Sequence, residues 1–157
     1  MAYQKLQAGR ALAVIPSDTV DIPNIAAVTT TGTSTSSAPL KLIDTAGDFI
    51  VKEVKVNDIV YAGAVAAIVT AIDSATTLSV SVTVPISTAY TIYSQEDNPQ
   101  NGCVLYVGGA GNLSVTTVGG DTVQFTGLAA GQFVPVQVLR VNSTVSAPLA
   151  SSIIALW

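Results

Sequence analysis

The sequence predicts an all-β fold, and two features of its composition point that way. Val occurs 22 times, and Ser and Thr together 32 times, in 157 residues. Such β-branched and small polar residues favour strands and turns over helices. Hydrophobic residues make up 49% of the chain and charged residues only 10%, which is far from the composition of disordered chains. We therefore expect a folded protein built from short strands.

The N-terminal residues 1–25 predict an extended arm that holds one short strand. Pro16 and Pro23 each lack the backbone donor that a sheet interior needs, so strands in this part must be short. Residues 26–39 contain the run TTTGTSTSSAP, which has almost no apolar content. This composition predicts a flexible linker.

Residues 40–94 predict a small inserted β-barrel. Runs such as VKEVKV and LSVSVTV alternate apolar residues with Ser, Thr or Lys, which is typical of half-buried antiparallel strands. The Ala-rich run YAGAVAAIVTAI also permits a helix, but its closely spaced Val and Ile favour strand. The strand candidates are FIVKEVKV at 49–56, DIVYAGAVAAIVTAI at 58–72, TLSVSVTV at 77–84 and AYTIYS at 89–94. Four or five strands in so short a segment indicate an SH3-like or OB-like barrel.

The C-terminal half predicts an antiparallel meander with glycine turns. GGAGN at 108–112 and GGD at 119–121 indicate tight hairpins, because glycine tolerates positive φ. GGAGN lacks the lysine and the following helix of a phosphate-binding loop. Pro135 inside FVPVQVLRV implies a bulge or an edge strand.

Two β units separated by polar breaks are the predicted organisation. Residues 1–25 and 101–157 together form a discontinuous core domain, an antiparallel β-sandwich or meander. The inserted barrel at 40–94 interrupts it, and the polar run at 95–100 is a second linker.

The side-chain inventory argues against an enzyme and against a resident metal or cofactor. The chain has no His and one Cys, so no imidazole-based triad or metal site can be built. Cys103 lies in an apolar run and is expected to be a buried, inert thiol. The carboxylate pairs Asp18/Asp21 and Asp44/Asp48 fall short of the six or more oxygen ligands of a calcium site, so turn and capping roles are expected.

Charge and hydropathy exclude two classes of partner. The net charge is −4, and the six Lys and Arg residues are spread along the chain, so the basic surface that binds nucleic acid is missing. No apolar stretch approaches the roughly 18 to 20 residues of a membrane helix, and we expect a soluble protein without membrane contact. A free monomer normally carries about a quarter or more charged residues on its surface. The surface is therefore either coated with Ser and Thr or covered by partners.

Arg140 and the C-terminal run IIALW are the candidate interface residues. Arg140 is the only cation after Lys55, and the sequence offers Asp121, a backbone carbonyl of another subunit, or solvent as its partner. So apolar a terminus must pack into its own sheet or across a subunit boundary, where Trp is a favoured anchor. The candidate positions are Arg140, Ile153, Ile154, Leu156 and Trp157.

Taken together, AVIPSDTVDIPNI at 13–25, the segment at 103–141 and the closing ALW resemble the head spike base proteins of tailed phages and gene transfer agents. Residues 26–100 interrupt the family pattern as an inserted domain. The matching marks are Pro16-Ser17-Asp18, Leu105-Tyr106-Val107-Gly108, Gly119-Gly120-Asp121, Phe125, Gly131, Pro135, Arg140-Val141 and Leu156-Trp157.

The resemblance implies a non-enzymatic virion protein on the capsid surface. It implies a homo-oligomer, a trimer or pentamer, with the major capsid protein as its partner and a fibre protein as a further one. Two other functions stay open at this point. One is a tail-associated structural protein. The other is a carbohydrate- or receptor-binding module that presents Tyr61, Tyr90 and Tyr93 on the inserted barrel.

Overall fold

The computed structural model describes residues 8–23, 25–95 and 102–157, and every regular element among them is a strand. The predicted all-β fold class is confirmed. No helix in this part of the chain has the length and apolar character needed to cross a bilayer. The strands are β1 Ala11–Ala13, β2 Ile25–Thr33, β3 Lys41–Ile43, β4 Ile59–Ala62, β5 Val65–Ser74, β6 Thr77–Val80, β7 Ala89–Gln95, β8 Cys103–Gly109, β9 Gly111–Thr117, β10 Thr122–Leu128, β11 Gln132–Asn142 and β12 Ser151–Leu156.

The chain divides into two compact units, each with its own apolar core. The first, here called the discontinuous unit, comprises Met1–Ile22 and Gln100–Trp157. The second, called the inserted unit, comprises Pro23–Pro99. Each unit contains one six-stranded antiparallel sheet.

The sheet of the discontinuous unit has the strand order β1-β12-β8-β11-β9-β10. Strand β11 pairs with β8 through its first half and with β9 through its second, so that Val138 faces Cys103 on one side and Thr117 on the other. Only Ala110 separates β8 from β9, and these two strands pair with opposite sides of β11, an arrangement that fits a sandwich. Both halves fill one core, formed by Ile22, Cys103, Leu105, Val107, Leu113, Val115, Val134, Val138, Val141, Ile153 and Ala155.

The hairpin predicted at GGAGN is wrong, because β8 and β9 are not paired with each other. Gly111 instead lies against the backbone of Leu149 and Ala150, so closely that a Cβ at this position would overlap both residues. The glycine is needed for an approach between distant parts of the chain and not for a local turn.

Two other predictions for this unit are confirmed, the tight turn at GGD and the strand irregularity at Pro135. The GGD segment closes a hairpin between β9 and β10, in which the Thr117 N–H donates to the Asp121 carbonyl at 2.9 Å and Gly120 has φ +87°. Pro135 lies at a break in the β11 register between Val134 and Val138, where a missing N–H is tolerated.

The inserted unit is barrel-like, with the strand order β2-β7-β4-β5-β6-β3. The sheet curls so that Ser36, just after β2, forms an antiparallel bridge to Ile43 of β3. First and last strands of the sheet are thereby brought together. The core residues are Leu42, Phe49, Val54, Val60, Ala62, Ala67, Val69, Leu78, Val80, Val84, Tyr90 and Ile92.

The linker predicted at 26–39 is wrong, since most of it is strand β2 and the Ser36 bridge. Strand β2 pairs with β7 through its backbone, which requires no apolar side chains, and Thr is a good strand former. The linker predicted at 95–100 lies outside the described residues except for Gln95, which ends β7.

The strand predicted for FIVKEVKV at 49–56 is also wrong. The segment forms consecutive turns, in which the Val54 N–H donates to the Phe49 carbonyl at 3.1 Å. Phe49 and Val54 are buried, whereas Ile50 and Val51 are 60% and 73% exposed. The apolar residues of this run therefore do not mark a strand. Phe49 and Val54 are the two positions at which a loop contacts the core.

Candidate functional site

Asp18 holds the N-terminal arm against the chain that follows β11. Its carboxylate accepts hydrogen bonds from the backbone N–H groups of Ser143 and Thr144, at 2.9 and 3.0 Å, and from both of their hydroxyl groups. These donors favour the ionised carboxylate and lower the pKa of Asp18 to about 2. A carboxylate with so many donors acts as a structural clamp and is not free to ligate a cation.

Asp18→Asn is expected to remove an acid-dependent part of the stability. The folded-state pKa of about 2 lies below the ordinary value of 3.8, so the clamp contributes fully above pH 4 and is lost as the pH falls from 4 to 2. Melting temperatures measured from pH 6 to pH 2 should differ most between wild type and variant above pH 4 and converge near pH 2.

Asp121→Asn serves as the matched control, because the Asp121 carboxylate is exposed and accepts no hydrogen bond from the described residues. An Asp18→Asn curve that runs parallel to the wild-type curve down to pH 2 contradicts the clamp.

Arg140 binds Asp21 of the arm and not Asp121, which was one of the partners that the sequence offered. Its Nη1 lies 3.1 Å from Asp21 Oδ1, and the guanidinium also donates to Asn142 at 3.3 Å and to Thr116 at 3.5 Å. Asp21 lies 119 positions before Arg140 in the chain. Arg140 therefore acts within its own unit, as a second link between the arm and the sheet.

The C-terminal run packs into its own sheet. Strand β12 lies between β1 and β8, with Ile153 and Ala155 buried in the core of the discontinuous unit and Trp157 packed against it. The backbone N–H of Trp157 donates to the Arg10 carbonyl at 3.1 Å, and the Trp157 carbonyl accepts from the backbone N–H of Gly9 at 2.6 Å. Of the five candidate interface residues, Ile153 and Trp157 thus serve the chain's own core.

Ile154 and Leu156 alternate with these residues and lie on the other side of the sheet, which we call the outer face. One row of paired residues crosses four strands, from Ala13 through Ile154 and Tyr106 to Phe133. A second row runs from Ala11 through Leu156 to Val104. The outer face is defined by Ala11, Ala13, Val104, Tyr106, Phe133, Ile154 and Leu156.

The outer face is apolar, uncharged and open to solvent. Phe133 is 56% exposed, and its ring meets that of Tyr106 edge to face, with centroids 5.4 Å apart. Ile154, Leu156 and Tyr106 are each partly exposed. Soluble monomers rarely leave a contiguous apolar surface of this kind uncovered.

Sequence reasoning missed Tyr106, Phe133 and Val104 as members of this face. The signal lies in CVLYV at 103–107, where both alternating sets of positions are apolar. A strand with an uninterrupted apolar run is apolar on both sides, so one set fills the core and the other is available to a partner.

The titratable groups of the interior serve the fold. The Cys103 thiol donates to the Val138 carbonyl at 3.4 Å, and burial raises its pKa to about 12. The buried Asp44 carboxylate accepts from the Ala46 N–H at 2.9 Å and from the Tyr90 hydroxyl at 2.7 Å, and burial raises the pKa of Tyr90 well above its usual range. Within the described ranges, no three His, Cys, Asp or Glu side chains are placed to hold a metal ion.

The tyrosines of the inserted unit do not form an exposed aromatic platform. Tyr90 is 3% exposed and Tyr61 is 9% exposed. The Tyr61 ring packs edge to face on Tyr93, with centroids 5.7 Å apart. These rings pack against neighbouring side chains and do not present their faces to a ligand.

A shallow polar cleft lies between the 52–55 turns and the sheet of the inserted unit. Two lysines and two acids contribute to its walls, and Asp58 accepts a hydrogen bond from the Lys55 N–H at 2.9 Å. None of the described residues that line it is aromatic. The lining residues are Thr29, Lys52, Glu53, Lys55, Asp58 and Ser94.

The matching marks of the resemblance to head spike base proteins, from Pro16 to Trp157, lie in the discontinuous unit. They include Asp18 of the arm clamp, Arg140 of the second link and the Leu156-Trp157 end of β12. Comparison with protein-family models, with curated proteins and with solved structures finds no match for this chain.

Proposed function

We propose that this chain is a structural protein of a phage virion, a capsid surface decoration or head spike base protein that self-assembles and binds the capsid shell. The observation that carries the proposal is the open, uncharged outer face of the discontinuous unit. It lies on the sheet that also holds most of the residues that resemble head spike base proteins. A protein of this function works through its surfaces and needs no catalytic group.

The rest of the surface supports an assembled state. Only 10% of the residues are charged, and large apolar side chains are exposed in both units. Interface cores are depleted of charge and enriched in aromatic residues, and symmetric assemblies share such surfaces between copies. The exposed apolar residues are Val28, Leu40, Ile50, Val51, Val56, Ile72, Val82, Ile86, Val123, Phe133 and Leu149.

The division into two units supports a display role. The discontinuous unit contains the arm and the C-terminal strand, and it carries the head-spike-like residues. The inserted unit has a separate core, so it can be carried without taking part in shell binding. The resemblance adds a trimer or pentamer, the major capsid protein as partner and a fibre protein as a second partner.

Sedimentation with capsid shells tests the proposal. The chain is co-expressed with the major capsid protein of its own genome, and the shells are separated on a sucrose gradient. We expect the protein to migrate with the shells at a fixed, saturable ratio. A protein that stays at the top of the gradient at every expression ratio contradicts shell binding.

The same experiment separates the other two functions. A tail-associated protein migrates with purified tails and not with shells. A carbohydrate-binding module binds a glycan array and neither particle. The buried positions of Tyr61 and Tyr90 favour the shell-binding function over the carbohydrate-binding one.

A further inference from the structure

We propose that the outer face binds the outer face of a second copy of this chain across a two-fold axis that runs along the strands. The proposal rests on the self-assembly proposed above and names the surface and the symmetry of one contact. The three observations that support it are the difference in side-chain size between the two sides of the face, the absence of charge and the extent of the face.

In both rows of the outer face the edge strand β1 contributes a small Ala, and in the first row the strands furthest from it, β8 and β11, contribute aromatic rings. In the first row Ala13 lies on β1, Ile154 and Tyr106 follow on β12 and β8, and Phe133 lies on β11. A two-fold axis along the strands reverses this order in the second copy. Phe133 of each copy then lies over Ala13 of the other, so large side chains meet small ones, as in aligned sheet packing about 10 Å apart.

The absence of charge favours a second copy as the occupant. Each chain carries a net charge of −4, so two copies repel each other unless the surfaces that meet are neutral. None of the seven residues of the outer face is charged, and an uncharged apolar face is complementary to itself. The Tyr106 and Phe133 rings supply the aromatic anchors that interface centres favour.

The extent of the face sets the strength of the contact. Four strands about 4.8 Å apart give a surface roughly 15 to 20 Å wide, which is smaller than a standard interface of about 800 Å² per partner. We therefore expect a weak pair that dissociates on dilution. The two-fold contact is distinct from the three-fold or five-fold association that the resemblance implies. A trimer or pentamer that also pairs through the outer face contains six or ten subunits.

Light scattering after size exclusion tests the contact on the full chain. Wild-type protein is measured from its highest soluble concentration down to the nanomolar range. We expect two subunits, or six or ten where a trimer or pentamer also forms. Phe133→Glu places a charge in each of the two reciprocal Phe133–Ala13 contacts and should raise the dissociation constant of the pair at least about 100-fold.

Ala64→Glu is the control, because Ala64 is exposed in the turn between β4 and β5 of the inserted unit and is not one of the large apolar side chains named above as exposed. Its mass should equal that of wild type. Far-UV circular dichroism and the melting temperature confirm that each variant is folded. A Phe133→Glu variant that unfolds is replaced by Tyr106→Gln, which tests the same contact.

Three results overturn the inference: a 16.0 kDa monomer at the highest concentration, a three- or five-subunit mass at that same concentration, or equal dissociation by both glutamate variants. Shell binding by the Phe133→Glu variant distinguishes a failure of the two-fold contact from a failure of the proposed function. If the wild-type chain pairs as expected but does not bind shells, the proposed function is refuted and the two-fold contact is not. Shell binding without any pairing refutes the two-fold contact alone.

Discussion

Deleting residues 153–157 is expected to unfold the discontinuous unit while the inserted unit keeps its structure. The deletion removes most of β12, which separates β1 from β8 in the sheet. The core loses the buried Ile153 and Ala155 and the packed Trp157. The arm loses its backbone hydrogen bonds to Trp157, and β8 loses a neighbour.

The expected loss exceeds what a domain of this size tolerates. Truncation of one large apolar core side chain costs about 2–5 kcal/mol, and the deletion removes two such side chains together with a strand ladder. Folded domains are stable by only about 5–15 kcal/mol. In a proton–nitrogen correlation spectrum, the amides of β8 and β9 should lose their dispersion and those of β4 to β7 should keep it.

Two neighbouring substitutions provide the control for this deletion. Ala155→Asp places a charge in the core and should unfold the unit as the deletion does. Ile154→Asp places the same charge on the outer face and should leave the unit folded. A deletion variant that keeps dispersed β8 amides would show that β12 is dispensable.

Local patterns predicted two central strands of the discontinuous unit and one of its hairpins. The runs CVLYV and LSVTTV form β8 and β9, and the glycine pair before Asp121 closes the β9–β10 hairpin. In these places the residues that set the structure are neighbours in sequence. Hydrophobic periodicity and turn residues are then sufficient.

Local patterns failed where a distant part of the chain decides. Gly111 has the appearance of a turn glycine, but the backbone at Leu149 and Ala150 is what requires it. Similarly, Gly32 leaves space for the buried contact between Tyr90 and Asp44, because a Cβ there would overlap both side chains. Its Thr-rich surroundings form a strand and not the predicted linker because their backbone pairs with β7.

The candidate site was predicted only in part, because some of its contacts also depend on distant parts of the chain. The apolar C-terminus identified β12 as a strand that must be covered, yet the sequence could not show which of its two sides faces the core. The partner of Arg140 was also out of reach, since Asp21 and Asp121 are both aspartates and only the path of the arm selects Asp21. Register and chain path are set by the whole fold.

Phe49→Ala is expected to destabilise the inserted unit by about 3–5 kcal/mol, the range for a buried aromatic residue truncated to alanine. Phe49 has no exposed surface, and its ring lies 6.1 Å from that of Tyr90 in a tilted arrangement. Truncation leaves a cavity beside the buried Tyr90–Asp44 hydrogen bond, in a core that other loop residues cannot refill.

The single tryptophan makes the test specific to one unit. Trp157 belongs to the discontinuous unit, so its fluorescence in a denaturant titration reports that unit alone, whereas the amides of β4 to β7 report the inserted one. Phe49→Ala should move the inserted unit's transition to lower denaturant and leave the Trp157 transition in place. Ile50→Ala, at an exposed neighbouring position, should change neither by more than about 0.5 kcal/mol. If the Trp157 transition shifts together with the other, the two cores unfold as one cooperative unit, and the inserted unit is not the independent module that a display role requires.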